Sequence, residues 1–99
     1  MEIDRFPEAF RRDIQTAVSV LRELGAQQVF IFGSLVGGAD PAGARDIDIA
    51  VDGLPPERFF HAYGQLVMSL DHDFDLVDLT NDAAFVRQLK ETGTLERVA

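Results

Sequence analysis

The chain contains no cysteine. That excludes disulfide staples and thiolate metal sites, and it fits a protein of a reducing cytoplasm. Basic residues are few: 9 Lys and Arg stand against 17 Asp and Glu, for a formal net charge of −8. A protein built to hold a nucleic-acid backbone usually presents a basic face, so RNA and DNA are poor candidates for the principal ligand. A nucleotide stays open, because bound magnesium offsets phosphate charge locally. A basic protein partner stays open as well. No apolar run approaches the roughly 20 residues of a membrane-spanning helix, so no membrane association is expected. The opening MEIDRFPEAF is acidic and lacks the basic-then-apolar order of a secretory signal. The expected location is the cytoplasm.

What is present is enough apolar material for one core. Hydrophobic residues make up 46% of 99 residues, which is too many for a disordered chain and about right for one domain spanning 1–99. Phe6, Phe10, Ile14, Val18 and Leu21 recur every three or four residues, predicting a helix over about 7–24 with Pro7 at its start and Gly25 at its stop. Residues 27–32 (QQVFIF) are β-branched and aromatic and predict a first strand. Three glycines and a proline make 35–45 a loop, with room for one helical turn near its start. DIDIAV over 46–51 alternates and predicts a second strand. Phe59, Tyr63, Leu66, Val67 and Leu70 predict a second helix over 57–70. FDLVDL over 74–79 predicts a third strand. Asp82 can cap a last helix over 83–92, stopped by Gly93, and TLERVA is either a short strand or a loose tail. The expected fold is α/β (α+β): a small mixed β-sheet with helices mainly on one face, the second and third strands joined by a helix-length crossover.

Alternation puts Asp46 and Asp48 on one face of their strand and Ile47 and Ile49 on the other. The two aspartates are then about 7 Å apart at Cα. Carboxylates that close repel one another unless a cation lies between them, and magnesium takes one or two carboxylates plus phosphate and water oxygens. The plainer alternative is a half-buried strand with a wet acidic face. Gly33 and Ser34 follow the first strand directly. Glycine lets a phosphate approach the backbone, and a serine hydroxyl can donate to it. Alone, the pair also suits an ordinary turn. In the third strand Asp75 shares a face with Val77 and Leu79, and Asp78 shares the other with Phe74 and Leu76. If this strand neighbours the second, Asp75 can join Asp46 and Asp48, with Asp78 near the strand end. The opposite choice of faces stays open.

Taken together, FGSLVGGADPAGARDIDIAV followed by FDLVDL resembles the minimal nucleotidyltransferases of the DNA polymerase β superfamily. Gly33 and Ser34 match the family's phosphate loop, Asp46 and Asp48 its metal pair, and Asp75 its third carboxylate. The resemblance extends over almost the whole chain. It implies a nucleotidyltransferase-like fold, two Mg2+ ions and ATP as substrate. It also implies transfer of AMP to an acceptor hydroxyl, with Asp75 accepting the proton. It further implies a partner, since such proteins often pair as antitoxins with HEPN toxins and some transfer AMP to a HEPN tyrosine. Three features depart from the family. Eleven residues, rather than ten, separate Ser34 from Asp46. Leu35–Val36 stands where arginines are common. Arg45 stands where serine often precedes the first aspartate. Metal binding survives these changes better than turnover does. A catalytically weak or inactive nucleotidyltransferase-fold antitoxin or binding module is therefore the alternative to an active enzyme.

Other features carry less. His61 lies mid-helix and His72 in a turn, and both read as surface or packing histidines. DHDFDLVDL has Asp at the first, third and fifth places of a calcium loop but Leu76 at the sixth and Asp82 at the twelfth, so it fails as an EF-hand. GSLVGG lacks the spacing and the lysine of the dinucleotide and Walker A loops. Phe6, Phe10, Phe59 and Phe85 read as core, and Arg11–Arg12 is too short for a nucleic-acid patch. An α/β scaffold with an acidic strand edge is the bland third reading.

Overall fold

The computed structural model describes residues 3–37, 46–80, 84–92 and 95–99; within these, Ser34, Phe85 and Thr92 are described by backbone alone. Helix α1 (Glu8–Glu23) buries Phe10, Ile14, Ala17, Val18 and Leu21 along one arc, the spacing that brings side chains to one face of a helix. Pro7 sits just before its first turn in an extended conformation. At the other end the Gly25 N–H donates to Arg22 O and the Ala26 N–H to Leu21 O, at 3.1 and 2.9 Å. This is the Schellman closure, and Gly25 supplies the left-handed residue it needs at φ 109°.

Strand β1 (Gln28–Phe32) leads into a single helical turn, α2 (Ser34–Gly37), inside the stretch expected to be a loop. Strand β2 spans Asp46–Asp52. A 3-10 turn over Pro56–Arg58 precedes helix α3 (Phe59–Ser69), and β3 (Asp73–Asp78), α4 (Ala84–Thr92) and the two-residue β4 (Glu96–Arg97) complete the order. The tail thus becomes a short strand. The proposed Asp82 cap and Gly93 stop lie outside the described residues.

The sheet order is β3-β2-β1-β4. β1 is antiparallel to both β2 and β4, while β2 and β3 run parallel across the α3 crossover. One face carries Val29, Ile31, Ile47, Ile49 and Val51, all buried with α1 and α3 over them. Each such side chain contributes about 1.5–3 kcal/mol by leaving water. The opposite face is divided. Phe32, Ala50 and Leu79 form a second apolar patch covered by Val86 and Leu89 of α4. Two of the three longer helices therefore share one face, and α4 takes part of the other. The rest of that second face holds the acidic side chains.

Helix α3 is apolar on two sides, with His61, Gln65 and Ser69 forming an exposed polar stripe. Ala62 and Leu66 are fully buried, with Phe59 and Leu70 packed beside them. Tyr63 and Val67, which share the helical spacing, lie outside this arc and are 41% and 58% exposed.

Candidate active site

The parallel pairing of β2 with β3 sets Asp48 opposite Asp75 and Asp46 opposite Asp73. Neighbouring strands lie roughly 4.8 Å apart, so four carboxylates crowd one end of the second sheet face. Their backbone alternates with Ile47, Ile49, Phe74 and Leu76, which go to the α1–α3 side. The faces of β3 are thereby settled: Asp75 joins the pair on β2. Asp78 ends its strand, where its Oδ1 accepts from the Thr80 N–H at 2.9 Å and from the Thr80 hydroxyl at 2.6 Å. Asp78 is a turn residue and stands apart from the cluster.

From the other side Gly33 meets the same carboxylates. Phe32 pairs with Asp48 across β1 and β2. Gly33 follows at φ 75°, and a Cβ built on it would land on Asp48 Oδ2. Any larger residue would collide there and would also be strained at this φ. The bare backbone of the β1–α2 turn thus lies directly against the carboxylate row. Leu35 is buried and Val36 packs on the core, so these two α2 residues turn apolar side chains inward. Arg45 lies outside the described residues.

The electrostatics follow from the crowding. Asp48 is half-buried, and its carboxyl is pushed up to about 6, first by burial and then by the charge of Asp75, a hydrogen bond with Asp75, and the charge of Asp46. Protonation or a bound cation relieves this repulsion equally. The donor set is entirely carboxylate oxygen, which suits a hard cation such as magnesium. Among the described residues no three His, Cys, Asp or Glu side chains converge as a ready-made metal cage. An ion held by two carboxylates and completed by phosphate and water oxygens requires no such cage. The oxygen donors of Asp46, Asp48 and Asp75 are of the type such an ion takes.

Two features escape a reading of the sequence. Asp73 extends the carboxylate row, yet it falls just before the apolar run that marks β3. Asp13 is a carboxylate inside the apolar arc of α1, only 2% exposed. It accepts from the Asp71 N–H at 3.0 and 3.1 Å, from the His72 N–H at 2.9 Å, and it pairs with His72 Nδ1 at 2.8 Å. Burial alone would raise its carboxyl, but these donors outweigh it and hold the group below its ordinary value. The His72 ring also stacks at 4.4 Å from that of Phe10. His72 is therefore a packing histidine that ties the start of β3 to α1. His61 is on the surface, 3.1 Å from Gln65 Nε2. A charged residue at a core position of a helical pattern was the available signal for Asp13, although its partners lie 58 and 59 positions away.

No protein-family model and no curated protein matches the chain. Solved structures do. A toxin–antitoxin with AMP-PNP is 26% identical with a TM-score of 0.61, covering 96% of this chain and 72% of that one. The MntA–HepT toxin–antitoxin is 25% identical with a TM-score of 0.59, over 88% and 69%. A complex of the MNT antitoxin with the tri-AMPylated HEPN toxin of Shewanella oneidensis is 25% identical with a TM-score of 0.60, again over 88% and 69%. Together with the mixed sheet and the divided second face, these likenesses make the chain an MNT-like nucleotidyltransferase fold that resembles the antitoxin of HEPN–MNT toxin–antitoxin pairs.

Proposed function

We propose that this chain is a metal-dependent nucleotidyltransferase that transfers AMP from ATP to a hydroxyl on a HEPN-type protein partner. The single observation that carries the reading is the register that sets Asp75 opposite Asp48 while Gly33 presses its backbone on the same carboxylate. The AMPylated toxin and the AMP-PNP complex among the similar structures support the nucleotide and the acceptor class.

In this reading Asp46, Asp48 and Asp75 would hold magnesium, with two ions expected. When bound, magnesium offsets the phosphate charge and lowers the pKa of the acceptor hydroxyl. Gly33 and Ser34 hold the terminal phosphates through the β1–α2 turn. Asp75, exposed at the edge strand, takes the proton from the acceptor hydroxyl. That oxygen forms a bond to the α-phosphorus as the bond to pyrophosphate breaks.

A second reading has its own observation. Leu35 and Val36 pack inward, so α2 brings no cationic side chain to a triphosphate from these positions. An antitoxin that binds its partner and nucleotide without turnover fits that feature.

Calorimetric titration of ATP with magnesium into the wild type and Asp48→Asn tests the site. Magnesium-dependent binding that the substitution removes is the expected result. Equal binding by both proteins would refute the carboxylate assignment. Binding by the wild type without labelling of a HEPN protein would favour the second reading.

A further inference from the structure

Helix α3 presents a second apolar face that, among the described residues, is met only at Tyr63, whose ring lies 5.0 Å from that of Phe74. Phe60 and Met68 are 84% and 89% exposed, and Tyr63 and Val67 stand between them. With Gly64 these positions follow the i, i+3, i+4, i+7, i+8 spacing of one helical stripe. A helix apolar on both sides is normally buried on both sides, and a contiguous exposed apolar patch marks an interface. Gly64 lies at the centre of the stripe, and a Cβ there would meet no atom within 4 Å. Glycine is the poorest helix former after proline, and packing among the described residues does not require it. A small residue at the midpoint of an apolar stripe is what a closely crossing second helix requires.

The stripe runs into a groove of about 270 Å³ at the edge of β3, lined by Leu70 and Phe74 and by Asp71, His72 and Asp73. The lining contains no Lys or Arg, nor does α3. Asp73 lines the groove and pairs in register with Asp46, so the groove and the carboxylate row share the edge of β3, the row itself lying on the sheet face opposite α3. A second copy of a chain carrying −8 would meet Asp71 and Asp73 with like charge.

We propose that the outer face of α3, with the groove at the edge of β3, docks the protein acceptor and receives a helix whose apolar side chains are flanked by Lys or Arg. This assignment rests on the reading that the chain modifies a protein partner. Phe60 and Met68 are the anchors, Gly64 sets the close approach, and Asp71 and Asp73 select the basic flanks. The docked acceptor then reaches around the edge of β3 to present its hydroxyl to the carboxylates on the other sheet face.

The test uses the full chain, ATP with magnesium, and the Shewanella oneidensis HEPN toxin as the probe acceptor. In the doubly substituted Phe60→Ser, Met68→Ser protein, toxin affinity and AMP labelling fall about tenfold or more, while nucleotide binding to the free protein matches the wild type. Gly64→Ala raises the melting temperature of the free chain yet weakens toxin binding, a combination that a purely structural glycine would not give. Wild-type labelling that the double substitution leaves unchanged would overturn the docking surface and leave the enzymatic reading standing. A wild type that neither binds nor labels the toxin would count against the partner reading and remove the docking surface with it. Concentration-dependent dimerisation of the free chain, abolished by Phe60→Ser, would reassign the face to a second copy and overturn the proposal.

Discussion

Asp48→Asn is expected to make the ligand-free protein more stable at pH 7, although it removes a residue of the candidate active site. The Asp48 carboxyl moves from a reference value of 3.8 to about 6 in the folded chain. At about 1.4 kcal/mol per pKa unit, that displacement corresponds to roughly 3 kcal/mol of unfavourable charge at neutral pH. Asp48 keeps some solvent contact, so about 1–3 kcal/mol is the expected gain. The amide replaces the repulsion with a donor toward Asp75. For a carboxyl raised on folding, the folded state binds the proton more tightly than the unfolded one. The penalty is complete above about pH 6, shrinks between 6 and 4, and vanishes below the unfolded value. The difference between variant and wild type should follow the same course. Thermal melts in pH 7 and pH 4.5 buffers read it directly, at about 4–8 °C per kcal/mol for a domain of this size. Magnesium with ATP should raise the wild-type midpoint and leave that of the variant unmoved. A variant no more stable than the wild type at pH 7, or a gain that persists unchanged at pH 4.5, would refute the account of crowded carboxylates.

Gly33→Ala forces a methyl group onto Asp48 at a positive φ; a loss of about 1–3 kcal/mol and of nucleotide binding is expected, read by denaturant melts and calorimetry. Asp13→Ala removes the buried acceptor of the part-buried Asp71 and His72 donors, and urea titration should show about 1–3 kcal/mol of lost stability. Because the Asp13 carboxyl is held low, its contribution is present above its unfolded value and is lost as pH falls through the folded one, so the Asp13→Ala deficit should narrow in acid. Asp75→Asn removes one of the charges that raise the Asp48 carboxyl, so the ligand-free melting point at pH 7 should stay at or above that of the wild type while AMP transfer falls by about 10²–10⁴. Transfer at the wild-type rate would remove Asp75 from the proton-accepting role.

Much of this molecule is written in local periodicity. Alternation along 46–51 settled that Asp46 and Asp48 share a face, because successive side chains of a strand point to opposite sides whatever the strand packs against. The arc of α1, the Gly25 stop, and the Gly33 turn were legible for the same reason: each depends on residues within a few positions of one another. Pairing between elements is a different matter. That Asp75 faces Asp48, that Asp73 extends the row, and that Gly33 lies on a carboxylate fifteen positions away follow from the parallel β2–β3 register and the antiparallel β1–β2 register. Those registers are decided by which hydrophobic faces can be buried together across the whole sheet. The same long-range packing turned Asp13 into the acceptor for a loop nearly 60 residues on. It also buried Ala62 and Leu66 while leaving Phe60 and Met68 in solvent, a division that a helix with apolar residues on two sides does not encode.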